Sequence, residues 1–572
     1  MPNIAISATG LLRDFSDAGV LGLADVHLAR TLATLGGDET QQVALAVALT
    51  MRAWRTGSPC LDIRRADALG ADADAETTPD VAGLTWPQPD AWLAQLQASP
   101  LVGTAHDQRP LCLDGHLLYL RRTWQDQATV VSSLGQRWRA AAPVPPVGPT
   151  GDAVVDAVLS QWTYVLTGGP GTGKTTAVAR VVDHVRQLPG LGRIAIAAPT
   201  GKAAARLAQA LTQSSLQPTT VHRLLGARGP GRGFRHDANN PLPADLVIVD
   251  ELSMVSLPLM AALLDALRPT ARLLLVGDPG QLASVEAGAV LADLVAANVT
   301  ASAHGDAPLV GHLTHVYRHR GALADLSIAA GSGDVDAAMA VLRRGDATAT
   351  LIDADAHNLT WDDLPQVAGD IKTTAAQVRQ AAEAGNAALA LSSLDGHRLL
   401  CAHRQGPYGV ATWARRAAEL TTPPGRRSDD WWPGRAVLAT ATAPDIGVVS
   451  GAQGVVVEGP GQVRLAFDAS PNDADTTATP QLLPTDAVPG LATLDAMTVH
   501  KSQGSEFASV TVVVPPTESP LLIRPLLYTA MTRARQRLTL IGTRQQVRQG
   551  LATVPQRTSG LAQQLQKNMN QH

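Results

Sequence analysis

The stretch "YVLTGGPGTGKTT", residues 164–176, limits this chain more than any other. An apolar run ends in glycines, and the helical pattern "AVARVVDHV" follows. The match to G-x-x-x-x-G-K-[ST] is complete, and it stands in the strand–turn–helix context that a P-loop requires. Glycines let successive backbone N–H groups wrap phosphates, and the helix N-terminus adds its dipole. The reading assigns Gly168, Gly169, Pro170, Gly171, Thr172 and Gly173 to the phosphate-binding turn, with Thr176 behind it. Lys174 is placed to reach the β- and γ-phosphates of ATP, and Thr175 to ligate Mg²⁺.

More apolar runs surround it, "IAIAAP", "LVIVDE" and "LLLVGD", each ending in a polar or glycine-rich turn and alternating with helical patterns. That order predicts an α/β fold with a parallel sheet, whose ligands bind at the carboxyl ends of the strands. In "LVIVDEL" (246–252) paired acids end a strand. Asp250 would hold Mg²⁺, and Glu251 would activate the attacking water. In "LLLVGDPGQL" (273–282) Gln281 lies beyond another strand end, where an amide can sense the γ-phosphate. In "AMTRARQ" (530–536), read as helical, Arg533 and Arg535 cannot face one site together; Arg533 is the candidate arginine finger.

The chain has 5 lysines in 572 residues, so arginine serves wherever a positive charge suffices. Three of them, Lys174, Lys202 ("APTGKAAARL") and Lys501 ("TVHKSQGSEF"), sit in Gly/Thr/Ser-rich stretches. A lysine is a compact point charge on a flexible stem, whereas arginine is a wide planar fork. The lysine map therefore sketches a phosphate and nucleic-acid site. The net charge of −4 excludes a globally basic DNA-binding exterior. Residues 498–550 nevertheless carry seven Lys/Arg against Glu506 and Glu518, so nucleic acid should meet a local channel. Three cysteines without a C-x-x-C pair argue against a disulfide framework, a zinc site or a four-cysteine cluster. No apolar run long enough to span a membrane and no signal peptide is visible, which predicts a cytoplasmic protein with no membrane partner.

Residues 1–140 read as a helical domain, with an acidic connection over 66–90. "AAAPVPPVGPTGD" (140–152) has the Pro/Gly density of a linker. A first α/β domain is expected over 150–305, with a small insertion at about 228–243. Strand-like runs at "ALALSSL", "RLLCAH", "SVTVVVP" and "RLTLIG" predict a second over 306–433 and 484–560. Between its halves, "AVLATAT", "GVVVEG" and "QVRLAFD" predict a small β-barrel over 434–483. "GDIK" (369–372) contains the D-x-K element of Mg²⁺ nucleases, but it opens an alanine-rich helical pattern, and no nuclease site is assigned.

Taken in order, "GGPGTGKTT", "APTGKAAARL", "TVHRLLG", "DELSMV", "GDPGQLASVEAG", "VYRHRG", "MTVHKSQGSEF" and "LYTAMTRARQRL" resemble the motif set of superfamily 1 helicases. The likeness covers about 150–550 and is nearest to the RecD family, the alpha subunits of exodeoxyribonuclease V (RecBCD). It separates the chain from hexameric AAA-type ATPases and kinases. The resemblance implies two RecA-like domains with ATP at their interface, an SH3-like character for the inserted barrel, and 5′→3′ translocation on single-stranded DNA. It places Thr200, Lys202 and His222 on the DNA backbone, and it makes "TVHKSQGSEF", with His500 and Lys501, the link between DNA track and ATP cleft. Arg318 would reach ATP from the second domain, and "FRHDANNPL" (234–242) would be a strand-separating pin. The family's upstream adenine-reading glutamine is replaced here by Gly151 or Asp152. The N-terminal region resembles, more loosely, the short domain that docks on a RecC subunit. The chain is thus expected to be an ATP-dependent DNA helicase subunit with RecB-like and RecC-like partners. The alternatives are a stand-alone helicase of the same superfamily and a regulatory subunit with a dead motor.

Overall fold

The computed structural model describes residues 8–68, 81, 83–140, 148–211, 216–229, 231–297, 308–315, 321–427, 430–468, 480–555 and 557–570. The centre of the linker over 140–152 and of the acidic stretch over 66–90 lie outside them.

The P-loop strand Thr163–Gly168 is buried along its whole length, as are Leu246–Val249 and Arg272–Gly277. Strands buried on both faces read as continuous apolar runs, the hallmark of a parallel sheet covered by helices. These three belong to a six-stranded, all-parallel sheet ordered Val310–Leu313, Thr163–Gly168, Arg272–Gly277, Leu246–Val249, Ile194–Ala198, Thr219–Thr220. The outermost strand, Val310–Leu313, lies beyond residue 305, so the first domain runs further than the sequence suggested.

A second parallel sheet has five strands, ordered Ala349–Ile352, Ala534–Ile541, Phe507–Val513, His397–Cys401, Met497–Thr498. "ALALSSL" is not among them. Residues Ala387–Ser393 form a helix, because Asn386 caps it by accepting from the Leu389 N–H at 3.1 Å. A cap settles a short apolar run whose periodicity fits either structure.

The insertion in this domain is an antiparallel sheet of five strands, Gln481–Leu483, Arg464–Phe467, Gln453–Val457, Ala436–Ala439 and Leu491–Thr493. The last lies past residue 483, so the insertion is longer than predicted. Its own core is Val437, Val456, Leu465 and Phe467.

The N-terminal region holds the expected helices Leu11–Asp17, Leu23–Gly36, Gln41–Arg55 and Pro89–Ala98. It also holds a four-stranded sheet of Cys60–Asp62, Leu117–Leu120, Leu111–Asp114 and Val102–Gly103, which the sequence reading missed. The following helix, Arg121–Arg139, departs from this domain. Its Val130, Leu134 and Trp138 pack with Leu263 and Leu264 in the core of the first parallel sheet. Arg137 fixes it there by donating to Thr163 Oγ1 at 2.7 Å and to the Trp162 carbonyl at 2.8 Å. The C-terminal helix Leu561–Asn570 joins the same core through Leu561 and Leu565.

Candidate active site

The turn between Thr163–Gly168 and the helix Lys174–Val185 brings backbone N–H groups to one concave face. Gly171 and Gly173 have φ of 72° and 86°, a region open to glycine at little cost. Lys174 Nζ donates to the carbonyls of Gly168 and Gly169 at 2.6 and 2.8 Å. The ammonium is thus folded back over the turn, held by groups it can exchange for phosphate oxygens. Thr172 braces the turn by donating to the Gly169 carbonyl at 2.8 Å.

Pro170, Gly171, Lys174, Thr175 and Thr176 line a cleft of about 660 Å³, together with Asp250, Glu251, Gln281 and Arg533. The acid pair follows strand Leu246–Val249 directly. Asp250 is buried, and burial, then the charge of Glu251, raises its carboxyl above the usual range. A hard divalent cation relieves such crowding, so Asp250 and Thr175 suit Mg²⁺ as an oxygen donor set. Glu251 is the one non-glycine among the described residues with positive φ, at 54°. Strain of this kind persists where surrounding structure holds it, and it concentrates at functional sites. Its own N–H donates to Asp250 Oδ1 at 2.8 Å, which locks the two acids together.

Arg533 enters from the second domain. The sequence reading put it on a helix with Arg535; instead the helix Arg524–Met531 ends before it, and a strand begins at Ala534. Arg533 sits buried in the turn, whereas Arg535 is exposed on the strand. Arg533 Nε donates to the Thr529 carbonyl at 3.0 Å and Nη1 to the Ser505 carbonyl at 3.3 Å. Burial lowers its pKa, and the carboxylates of Glu251 and Glu506 oppose that shift.

Several residues that sequence reasoning passed over close the boundary between the two sheets. Tyr528 Oη donates to Asp278 Oδ2 at 3.0 Å, and the same carboxylate oxygen accepts from Gln281 Nε2 at 3.1 Å. Leu282 is clasped from the far side, its N–H donating to Thr529 Oγ1 at 2.9 Å and its carbonyl accepting from Gln503 Nε2 at 3.1 Å. Arg206, behind Lys202, pairs with Glu506. The signal available in the sequence was position: Asp278, Gln503 and Glu506 lie inside motifs already quoted.

The candidate DNA residues follow the carboxyl ends of three parallel strands, Ile194–Ala198, Thr219–Thr220 and Met497–Thr498. Thr200 caps the helix Gly201–Ala210, accepting from the Ala203 N–H at 3.2 Å. Lys202 is half-buried and donates to Ser505 Oγ at 3.2 Å, which joins the first domain to the second. Burial pushes its ammonium down to about 8. His222 is exposed at the head of a short helix, 6.0 Å from the ring of Phe234. His500 is half-buried and Lys501 exposed on the turn His500–Ser502. Arg318 lies outside the described residues. Asp370 of "GDIK" sits on the helix Pro365–Glu383 and is engaged by Arg537 at 2.8 Å.

Residues 17–119 match the N-terminal domain model of the RecBCD enzyme subunit RecD, 151–287 an AAA domain, and 493–541 a UvrD-like helicase C-terminal domain. The chain is 41% identical over 597 residues to the RecBCD enzyme subunit RecD of Mycobacterium tuberculosis, covering 99% of this chain and 98% of that one. The chain belongs to the RecD family. Against the RecD of Mycolicibacterium smegmatis it is 42% identical, covering 97% of this chain and 99% of the relative. An ATP-dependent RecD2 DNA helicase of Deinococcus radiodurans is 35% identical, but the match covers 68% of this chain and only 48% of that protein. The matches to RecD chains therefore span whole chains on both sides, which the RecD2 match does not.

Proposed function

We infer that this chain is an ATP-dependent DNA helicase subunit of a RecBCD-type complex, acting with RecB-like and RecC-like partners in double-strand break repair and DNA degradation. The observation that carries the reading is the convergence of Lys174, Asp250, Glu251 and Gln281 with Arg533 on one cleft between two parallel sheets. Each sheet supplies part of the set, so turnover and relative movement of the domains are linked. Full-length similarity to RecD chains favours a complex subunit over a stand-alone helicase. The presence of Lys174, Asp250, Glu251 and Arg533 in the described cleft speaks against a dead motor.

ATP would lie on the turn 168–173, with Thr175 and Asp250 holding Mg²⁺. When bound, Mg²⁺ supplies a Lewis acid that neutralises charge on the phosphoryl oxygens. Lys174 leaves the carbonyls of Gly168 and Gly169 for the phosphates. Glu251 accepts the proton of the attacking water, and Arg533 stabilises charge on the transferring group. We read the two parallel-sheet domains as RecA-like and the antiparallel insertion as SH3-like, with 234–242 as the pin. Single-stranded DNA would run along the strand ends that carry Thr200, His222, His500 and Lys501, in the 5′→3′ sense. Among the described residues no helix is long and apolar enough to cross a membrane, and the cytoplasm, with the chromosome, is the proposed site of action.

The test is co-expression with RecB-like and RecC-like partners, followed by unwinding of duplexes with a 5′ or a 3′ single-stranded tail. A stable heterotrimer in which a Lys174→Gln chain loses only 5′-tail unwinding supports the reading. A chain that purifies alone and unwinds at full rate would shift it to the stand-alone helicase.

A further inference from the structure

Residues 557–570 lie outside all three matched regions and carry no motor motif. They nevertheless form a strap joining the N-terminal domain to the loop that follows Gln281. Arg557 Nη1 donates to the carbonyls of Ser284 and Gly288 at 2.8 and 3.4 Å. Its guanidinium lies against Gly57 so closely that a Cβ there would stand 2.9 Å from Arg557 Cζ. The Gly57 carbonyl in turn accepts from the Gly288 N–H at 3.0 Å. Thr558 N–H donates to Ser58 Oγ at 3.3 Å, and Ser559 Oγ donates to Asp293 Oδ2 at 2.8 Å. N-terminal domain, strap and loop thus meet at one junction.

The loop matters because of what precedes it. Leu282 is clasped by Thr529 and Gln503 of the second domain, and Gln281 touches Arg533. Its own domain holds the loop through Ser256, which donates to Glu286 at 2.7 Å, and through Leu257, whose N–H donates to the Ala287 carbonyl at 3.0 Å. The tip is otherwise open, with Val285 74% exposed. A loop gripped by side chains from three parts of the chain takes its position from all of them.

We propose that Arg557 is a positioning residue for the Gln281 loop, through which that loop responds to what the N-terminal domain binds. One guanidinium nitrogen, Nη1, meets both loop carbonyls, while Cζ, Nη2 and Nε lie against Gly57, a second contact that a lysine's point charge would not reproduce. Docking of a partner that shifts residues 57–60 would move Arg557, and with it the Gln281 amide. This rests on the cleft being an ATPase site.

The experiment uses the full chain, alone and with its RecC-like partner, in four variants: Arg557→Ala, Arg557→Lys, Gly57→Ala and the double Gly57→Ala/Arg557→Ala. DNA-stimulated turnover is expressed per molecule competent to bind a fluorescent ATP analogue, and amide exchange is followed over 282–288. Arg557→Ala is expected to lower kcat about tenfold, the scale of one lost charged hydrogen-bond set, with KM for ATP within about twofold. Arg557→Lys should recover part of the loss. Gly57→Ala strains a backbone whose φ is 95° as well as crowding Arg557, so the shared contact is read from the double variant, whose loss in kcat should be smaller than the product of the two single losses. Exchange over 282–288 should rise in each variant except Arg557→Lys, and partner binding should alter it only in the wild type. Unchanged kcat per competent molecule, or additive effects, would overturn the proposal, even if Tm falls. A wild-type chain without DNA-stimulated turnover would overturn the ATPase reading instead, and the exchange data would still decide whether strap and loop are joined.

Discussion

Arg533 donates from Nη2 to Gln281 Oε1 at 3.2 Å, across the boundary between the two parallel sheets. The proposed finger and the proposed γ-phosphate sensor are therefore joined directly. Gln281 is oriented by its own amide donating to Asp278, which leaves its carbonyl oxygen for the guanidinium. Arginine fingers contribute about 10³–10⁵ in turnover, because they stabilise charge that develops only in the transition state. Arg533→Ala should therefore lose most turnover at saturating DNA, with the salt dependence of DNA binding nearly unchanged. ATPase assays and DNA titrations at two salt concentrations check both. Normal turnover with a shallower salt slope would move Arg533 to the DNA track.

The roles proposed for Lys174 and Glu251 separate binding from chemistry. Lys174→Gln leaves the Gly168 and Gly169 carbonyls without their cation and removes the charge that meets phosphate, so nucleotide affinity should fall. Glu251→Gln keeps the strained backbone and the N–H bond to Asp250 but removes the proton acceptor. It should bind ATP normally and hydrolyse it about 10²–10⁴ times more slowly. Normal hydrolysis by Glu251→Gln would show that another group activates water.

Arg537, four residues past Arg533 on the strand Ala534–Ile541, is expected to have a different task. Its Nη1 lies 2.8 and 2.9 Å from the two oxygens of Asp370, and both side chains are partly exposed. Exposed pairs contribute at most about 1 kcal/mol. Arg537→Ala should lower Tm slightly and leave turnover and DNA salt slope alone. A salt slope shallower by about one would make it a phosphate contact instead.

Lys174, Asp250, Glu251 and Gln281 of the proposed catalytic set were legible because each follows an apolar strand, where a local pattern fixes both the strand and the direction of its end. Tertiary choices were less visible. Arg533 proved to lie in a turn because the helix before it stops at Met531. The N-terminal sheet escaped notice because its strands have two to four residues, too few to show a period. The helix Arg121–Arg139 reads as amphipathic in any context, and nothing local says which core receives it. Its allegiance to the motor has a consequence: Leu134→Ala, fully buried, should destabilise the first parallel-sheet domain by about 2–5 kcal/mol. Denaturant unfolding, with nucleotide binding as the probe, checks this. Loss of the N-terminal fold alone would contradict it. Removing residues 1–140 wholesale should unfold the first parallel-sheet domain for the same reason.

Lys202 offers a pH test of whether its cation serves DNA or the domain boundary. It donates to Ser505, whose carbonyl accepts from Arg533, so it stands two contacts from that guanidinium. Burial holds its folded-state pKa at about 8, below the roughly 10.4 of a free lysine. Between those values the unfolded chain keeps a proton that the folded chain has released. Stability therefore rises with pH across that window, by at most about 1.4 kcal/mol per pH unit, and below pH 8 the penalty for charging the buried ammonium is fully present. Lys202→Met should flatten the rise between pH 8 and 10. It should also leave the salt slope of DNA binding within half a unit of wild type, since a cation turned toward Ser505 neutralises no phosphate. Unfolding curves at several pH values and DNA titrations at two salt concentrations decide the matter. A parallel pH profile in wild type and variant, with a salt slope reduced by one, would return Lys202 to the DNA track.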